Sequence, residues 1–213
     1  MLFVRYYVMR DGGTVLELKI MDRIYVYENN ETVLDQLMND VNQFMHESNS
    51  VIVQMDIDGQ VVFDDYFEYI SDRIGEIRKI EVISQSVEEF TNEVLMTANE
   101  YLERSLPLIS LLSDEFYQGP KQETWEQFEQ LIEGLQWMEQ TVQYVSNNKP
   151  SCEQWQETFR WSTELAELEQ AVIQQDAVLI GDILRYEILT RLEMLKKELE
   201  QEIHNGVINH DLN

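Results

Sequence analysis

Hydrophobic side chains follow two different periods along the chain, and the change comes near residue 84. Before it, runs such as TVLELKI and RIYVYE are rich in β-branched and aromatic residues and are separated by turn residues, which is typical of strands. After it, apolar residues recur every three or four positions, as on one face of an α-helix. The pattern predicts an α+β protein, with one domain over residues 1–84 and a helical domain over residues 85–213.

In the first domain we expect LFVRYYVM and TVLELKI to pair as a hairpin around Asp11-Gly12-Gly13, with RIYVYE as a further strand. Three- and four-residue spacing predicts a helix over residues 32–47. Alternation in VIVQMDID predicts a strand that turns at Asp58-Gly59 into a partner strand. A short helix and a last strand are expected over residues 64–74 and 79–84.

This order of hairpin, helix, hairpin, short helix and strand resembles the ubiquitin-like β-grasp fold. The resemblance implies a mixed sheet in which the last strand runs parallel to the first in mid-sheet. Members that are conjugated to other proteins or carry sulfur end in Gly-Gly, whereas here Gly12-Gly13 is internal and the chain ends NHDLN. The resemblance therefore implies a binding or scaffolding module without a catalytic motif.

Helix signals dominate the second domain. Ser86 and Glu89 form a capping box that starts a helix, and Pro107 is expected to break or kink that helix near Ser105. A second box, which begins at Thr124, and a cap at Asp176 start later helices. Short turns between the helices predict an antiparallel bundle of four or five, with the later helices over residues 124–146, 152–174 and 177–204.

One stretch in this domain, QDAVLIGDILRYEIL from Gln175 to Leu189, is similar to segments of uncharacterised helical proteins of Gram-positive bacteria. The similarity carries no functional residues, and it implies only a bacterial protein.

Net charge narrows the classes of partner. The 15 basic and 41 acidic side chains give a formal charge of −26, which repels phosphate backbones and anionic lipids. We therefore expect neither nucleic acid nor a membrane surface as partner, whereas a basic protein is favoured. Solubility alone would also explain the acidity. A single cysteine, the lack of a long apolar run and a start without signal-peptide order predict a cytoplasmic protein.

The four aspartates around Gly59 invite comparison with a calcium loop, which needs oxygen ligands at positions 1, 3, 5 and 12 and glycine at position 6. With Gly59 at position 6, Asp56 and Asp58 occupy positions 3 and 5. Position 1 is then the neutral Gln54, and position 12 is Asp65, which is too short for the usual bidentate ligand. A hairpin turn is the better interpretation.

Other metal and catalytic motifs are missing from the sequence. A di-iron bundle needs Glu-x-x-His, but Gln43 and Gln201 stand three residues before His46 and His204. Cys152 lies near a helix start, yet its inferred helix holds no histidine to act as base, so we expect it to pack in the core. Neither a P-loop nor a GxGxxG motif occurs. No cofactor and no enzymatic activity are expected.

Aromatic residues exceed what one apolar stripe requires. Trp137 and Tyr144, seven residues apart, and Trp161 point away from the stripes of their helices. Either these helices are buried on two sides, or the three residues line a groove for an amphipathic helix of a partner. A second candidate is a narrow seam at the end of the last helix, which forms core or joins two chains into a homodimer: Ile188, Leu192, Leu195, Leu199 and Ile203.

The sequence thus favours a non-enzymatic, cytoplasmic protein with an adaptor-like or chaperone-like role in protein–protein interaction. Two alternatives stay open. Carboxylates that imitate phosphates would make a nucleic-acid mimic that inhibits a basic protein, and clustered carboxylates would make a metal-binding protein.

Overall fold

The computed structural model describes residues 3–6, 15–30 and 32–210, with side chains for 15–30 and 32–206. The chain divides into two compact units, Met1–Phe90 and Thr91–Asn213. The first contains a mixed sheet with helices and the second is helical, so the predicted α+β class is confirmed.

The first unit is built on a six-stranded sheet in the order β1-β3-β2-β6-β4-β5. Strand β6 runs parallel to β2 and antiparallel to β4 in the middle of the sheet. The strands are β1 (Phe3–Tyr6), β2 (Val15–Ile20), β3 (Arg23–Glu28), β4 (Ser50–Ile57), β5 (Gln60–Val62) and β6 (Lys79–Ser86).

The predicted hairpin between the first two strands is wrong. Strand β2 pairs antiparallel with β3 across the two-residue turn Met21-Asp22, and β1 pairs parallel with β3 at the sheet edge. Two strands joined by so short a turn pair with little loss of chain entropy, which favours β3 over β1 as the partner of β2. The predicted turn at Asp11-Gly12-Gly13 lies outside the described residues.

One face of helix α1 (Val33–Ser48) is apolar and packs in the same core as the sheet. Its inward residues follow three- and four-residue spacing, as predicted, and are buried with strand residues such as Leu18, Met55 and Ile80. Asn49 ends the helix in the left-handed conformation, where its N–H donates to carbonyls of the last turn.

The predicted turn between β4 and β5 is confirmed, with Asp58 and Gly59 both at positive φ, 50° and 85°. Gly59 N–H donates to the Asp56 carboxylate at 2.7 Å, and the Asp58 carboxylate accepts from the N–H of Lys79 at 2.8 Å. Helix α2 (Tyr66–Ser71) is shorter than predicted, because Asp65 has positive φ and stands before the helix.

The first two long helices after the sheet are α3 (Val87–Gln118), which lies mostly in the second unit, and α4 (Gln122–Asn148). The capping box of Ser86 and Glu89 is confirmed, with Glu89 N–H donating to the serine oxygen at 3.1 Å. The predicted break at Pro107 is wrong, since α3 continues through it. Pro107 and Glu103, whose carbonyl loses its donor, both lie on the exposed side of α3, where water can satisfy that carbonyl.

The start of α4 differs from the prediction. Lys121 precedes the helix and donates its N–H to Thr124 at 3.1 Å, so the threonine lies inside the first turn rather than capping it. The Thr124 hydroxyl donates in turn to Glu115 of α3 at 2.7 Å. Phe116 near the end of α3 meets Trp125 near the start of α4, so the two helices are antiparallel.

A single helix over residues 152–174 is also wrong. A 3₁₀ turn (Pro150–Cys152) and helix α5 (Trp155–Thr158) are separated from α6 (Ser162–Ile173) by a break that contains Phe159 and Trp161. In a continuous helix these two rings would point about 200° apart. The break allows both to be buried in one core.

The last helical stretch is continuous but not uniform. Asp176 caps α7 (Ala177–Asp182) by accepting the Leu179 N–H at 3.0 Å, as predicted. A π-helical segment (Ile183–Ile188) then leads into α8 (Leu189–His210), which runs beyond the end predicted at Asn205-Gly206. The buried Ser113 hydroxyl of α3 donates to the Gly181 carbonyl at 3.0 Å, just before this π-helical segment.

Candidate functional site

The three aromatic residues predicted to line one groove are separated by their burial. Trp137 is 37% exposed, Tyr144 is partly buried, and Trp161 is fully buried. Trp161 therefore cannot line an accessible groove, so the groove alternative is wrong for this residue and the alternative of burial holds. The cause is the helix break before α6, which turns the indole into the core under the Arg191 guanidinium, 4.9 Å from the ring centroid.

The predicted self-association seam on α8 is part of the core of the helical unit. Leu192, Leu195 and Leu199 are almost completely buried there, and Ile203 packs against the same cluster. Because their surface is already covered within the unit, these residues are not available to join two chains. Of the two alternatives for this seam, the core of the helical unit is correct and a contact between two chains is wrong.

An open groove lies between α3 and α4. Its volume is about 660 Å³, within the range of small-ligand and peptide sites. We call it the α3–α4 groove, and its lining residues are Tyr101, Arg104, Ser105, Leu108, Ile109 and Leu112 of α3 with Gln127, Gln130 and Leu131 of α4.

The local sequence explains why this groove is apolar. In SLPLISLL, residues 105–112, apolar side chains occupy both sides of α3. Ile109 and Leu112 face the core and form the floor, while Leu108 is 61% exposed at the groove. A helix that is apolar on more than one face buries the surplus only against another partner. This doubled stripe is the sequence signal that could have indicated the groove.

One end of the groove is fixed by a close approach of the two helices. Gly134 of α4 lies directly under the Tyr101 side chain, where a Cβ atom would overlap the hydroxyl oxygen and lie 3.0 Å from Cζ. The Tyr101 ring meets Trp137 edge to face, with centroids 5.2 Å apart. Burial raises the pKa of the Tyr101 hydroxyl, so it stays protonated at neutral pH. Trp137, one of the predicted residues, thus stands beside the groove.

The charge of the groove is opposite to that of the protein. Among the described residues that line it, Arg104 is the only charged one, and the other polar side chains are neutral. The Arg104 Nε donates to the Glu100 carbonyl at 3.3 Å. Within the described part of the chain, no carboxylate lies within 4.0 Å of this guanidinium, whereas Arg185 and Arg191 of the same unit are paired.

Arg191 organises a separate polar cluster at the break between α5 and α6. It pairs with Glu164 and donates to the carbonyls of Thr158 at 2.6 Å and Arg160 at 2.9 Å. These are carbonyls of the segment where the regular helix stops, so the cluster holds the break in place. Nearby, burial and the charges of neighbouring glutamates raise the pKa of Glu187.

The cysteine and the candidate metal ligands do not form a reactive site in the residues that the structure describes. Cys152 is buried, and burial raises the pKa of its thiol, which disfavours the nucleophilic thiolate. Among the described side chains, no three His, Cys, Asp or Glu residues come together as a metal site requires. No described helix combines the length and apolar character that crossing a membrane demands.

The helical unit matches a known protein family. Residues 93–198, just under half of the chain, match the family model described as a domain of unknown function, DUF8042. Searches of curated proteins and of solved structures returned no significant match. All nine residues of the α3–α4 groove lie inside the matched segment. The chain is therefore similar to this family across the part that carries the groove.

Proposed function

We propose that the protein is a non-enzymatic interaction protein that docks a helical segment of another protein in the α3–α4 groove. The observation that carries this proposal is the open, apolar space along two antiparallel helices, with Leu108 largely exposed beside a buried floor. The lining positions on α3 run from 101 to 112, which is about three helical turns and about 16 Å. Docked amphipathic helices place their apolar anchors three or four residues apart over a similar length.

Docking of a helix would remove apolar side chains of the groove from water. Burying the exposed part of Leu108 contributes about 1 to 2 kcal/mol, and further apolar contacts from the partner add to it. Tyr101 and Trp137 offer rigid aromatic surface at one end, which is the type of residue that dominates interfaces. The acidic surface outside the groove favours partners with basic flanks.

The first unit fits the role of a binding or scaffolding module of the β-grasp type. Its hairpin β2–β3, helix α1, hairpin β4–β5 and final strand β6 parallel to β2 support this relationship. Phe63 and Phe67 are exposed near the edge strand β5 and offer a second apolar surface. The single cysteine, which is free and buried, supports a reducing, cytoplasmic setting.

A matched pair of leucines tests the proposal. Leu108 and Leu111 lie on the same helix and are 61% and 59% exposed, but only Leu108 lines the groove. A display library of peptide segments encoded in the genome of origin would be screened for binding to the wild type, to Leu108→Glu and to Leu111→Glu. We expect helical segments that bind the wild type and Leu111→Glu, and that bind Leu108→Glu at least about tenfold more weakly.

Circular dichroism and thermal melting would check that both variants fold like the wild type. Equal binding by the two variants, or no selected segment at all, would refute the groove as the docking site.

A further inference from the structure

Within the described residues, the α3–α4 groove combines an apolar floor with one positive charge, Arg104, that forms no ion pair, in a strongly acidic chain. From this juxtaposition we propose that its occupant is an amphipathic helix that carries a carboxylate facing Arg104. The inference rests on the proposed function and names the chemistry of the partner segment.

Carboxylates are missing from the described lining of the groove. The chain holds 41 acidic residues among 213, yet none of those that the structure describes lines the groove. Glu100 and Glu103 on α3 and Glu126 and Glu129 on α4 directly neighbour lining positions, but they do not line the groove themselves. These four glutamates therefore flank lining positions along both helices, and Arg104 is the charge that a docked segment meets among the described lining residues.

Docking changes the surroundings of Arg104. A helix laid over the groove removes water from the guanidinium, and a desolvated cation whose acceptor is only the neutral Glu100 carbonyl is costly. Ser105, Gln127 and Gln130 can offer only neutral oxygen atoms to it. Arginine presents a planar set of donors that fits a carboxylate with two parallel hydrogen bonds. An Asp or Glu of the partner meets this requirement, and a Lys or Arg at the same place is rejected.

Local and global charges together constrain the partner segment. A partner segment must carry its carboxylate inside the apolar stripe, where it meets Arg104, while the net charge of −26 disfavours acidic residues on its outer face. We therefore expect a segment with one acidic residue among its apolar anchors and with neutral or basic flanks. This pattern discriminates against most amphipathic helices, which have purely apolar stripes.

The selection described above also tests this inference, with the segments encoded in the genome of origin as probes. We expect the segments that depend on Leu108 to share an Asp or Glu within the apolar stripe. For a synthetic peptide of the best segment, replacing this residue with Gln or Asn should weaken binding about ten- to a hundredfold, and Arg104→Gln should do the same. The two changes together should cost little more than either alone.

A charge exchange completes the test. Arg104→Glu should abolish binding of the natural segment and bind the peptide whose acidic residue is replaced by Lys. Arg104 is exposed, so its variants are expected to fold, and thermal melting verifies this.

Each outcome decides between the two proposals. Segments that require Leu108 but share no acidic residue, or that bind Arg104→Gln unchanged, would overturn the inference and leave the groove as a docking site. Recovery of helices from this chain alone would assign the groove to a second copy and overturn the inference. Absence of any Leu108-dependent segment would remove both proposals.

Discussion

The contact between Gly134 and Tyr101 gives a quantitative prediction, because two opposing effects can be compared. Replacing a helical glycine with alanine normally stabilises a helix by about 1 kcal/mol. At position 134, however, the new Cβ would overlap the Tyr101 hydroxyl oxygen, so the ring must move. Overpacking of this kind costs about 1 to 3 kcal/mol, and loss of the edge-to-face contact with Trp137 adds about 0.5 to 1.5 kcal/mol. Gly134→Ala should therefore destabilise the protein by about 1 kcal/mol or more.

The assay is thermal and urea unfolding of Gly134→Ala, Tyr101→Phe and the double variant. A loss of about 1 kcal/mol corresponds to a fall in Tm of about 2 to 4 °C for a protein of this size. Tyr101→Phe removes the overlapping oxygen and leaves the ring Cζ 3.0 Å from the new Cβ at position 134. The double variant should therefore be about 1 kcal/mol more stable than the added effects of the two single variants predict.

The control is Gly206→Ala in α8, where the nearest atom to a new Cβ is the Asn92 Oδ1 at 3.9 Å. This variant should be as stable as the wild type or more stable by up to about 1 kcal/mol. If Gly134→Ala were stabilising to the same degree, Tyr101 would have room to move, and the reasoning about the closed end of the groove would be refuted.

Two further predictions concern the helical unit. Arg191→Met should lower the free energy of unfolding by about 2 to 3 kcal/mol, because it leaves the buried Glu164 carboxylate and two carbonyls without the Arg191 donors. Arg191→Lys should fail to restore stability. If Arg191→Met were as stable as the wild type in denaturant unfolding, this role of Arg191 would be contradicted. Burial and the nearby charges of Glu167 and Glu164 raise the pKa of Glu187, so the ionised carboxylate is disfavoured in the folded state. Glu187→Gln should therefore stabilise the protein by about 0.3 kcal/mol at neutral pH. This gain in stability should vanish once the pH falls below the pKa of the Glu187 carboxyl in the unfolded chain. A gain that persists in acid would point to another cause.

Features that depend on a few neighbouring residues were predictable from the sequence. The turn at Asp58-Gly59, the capping box of Ser86 and the cap at Asp176 all form as expected. Each is decided by a side chain that can satisfy a backbone donor within three residues, or by a backbone that tolerates positive φ. The change from strand to helix period is likewise a local property of side-chain spacing.

Features decided by distant partners were not predictable in the same way. Strand β2 pairs with β3 because the turn between them is short, and β1 then pairs with the other edge of β3. The break after α5 depends on whether the core has space for both Phe159 and Trp161. Pro107 was expected to interrupt α3 because the pattern could not show that its side of the helix is exposed.

The candidate site was only partly within reach of the sequence. Trp137 was chosen because it lies off the apolar stripe of α4, and it does stand at the end of the groove beside Tyr101. The α3 side was missed, because SLPLISLL was interpreted as a broken helix rather than a helix apolar on two sides. Arg104 gave no signal in the sequence, since the role proposed for it rests on the lack of carboxylates among the described residues that line the groove.

The unequal burial of the tryptophans has a practical consequence for spectroscopy. Trp155 and Trp161 are sealed in the core and Trp125 is only partly accessible, whereas the Trp137 indole is in contact with solvent at the groove. Its emission should lie at the longest wavelength of the four and should be the most readily quenched by a neutral quencher such as acrylamide. A segment that docks beside Tyr101 would shift and protect this emission, so the unlabelled protein carries its own reporter of occupancy.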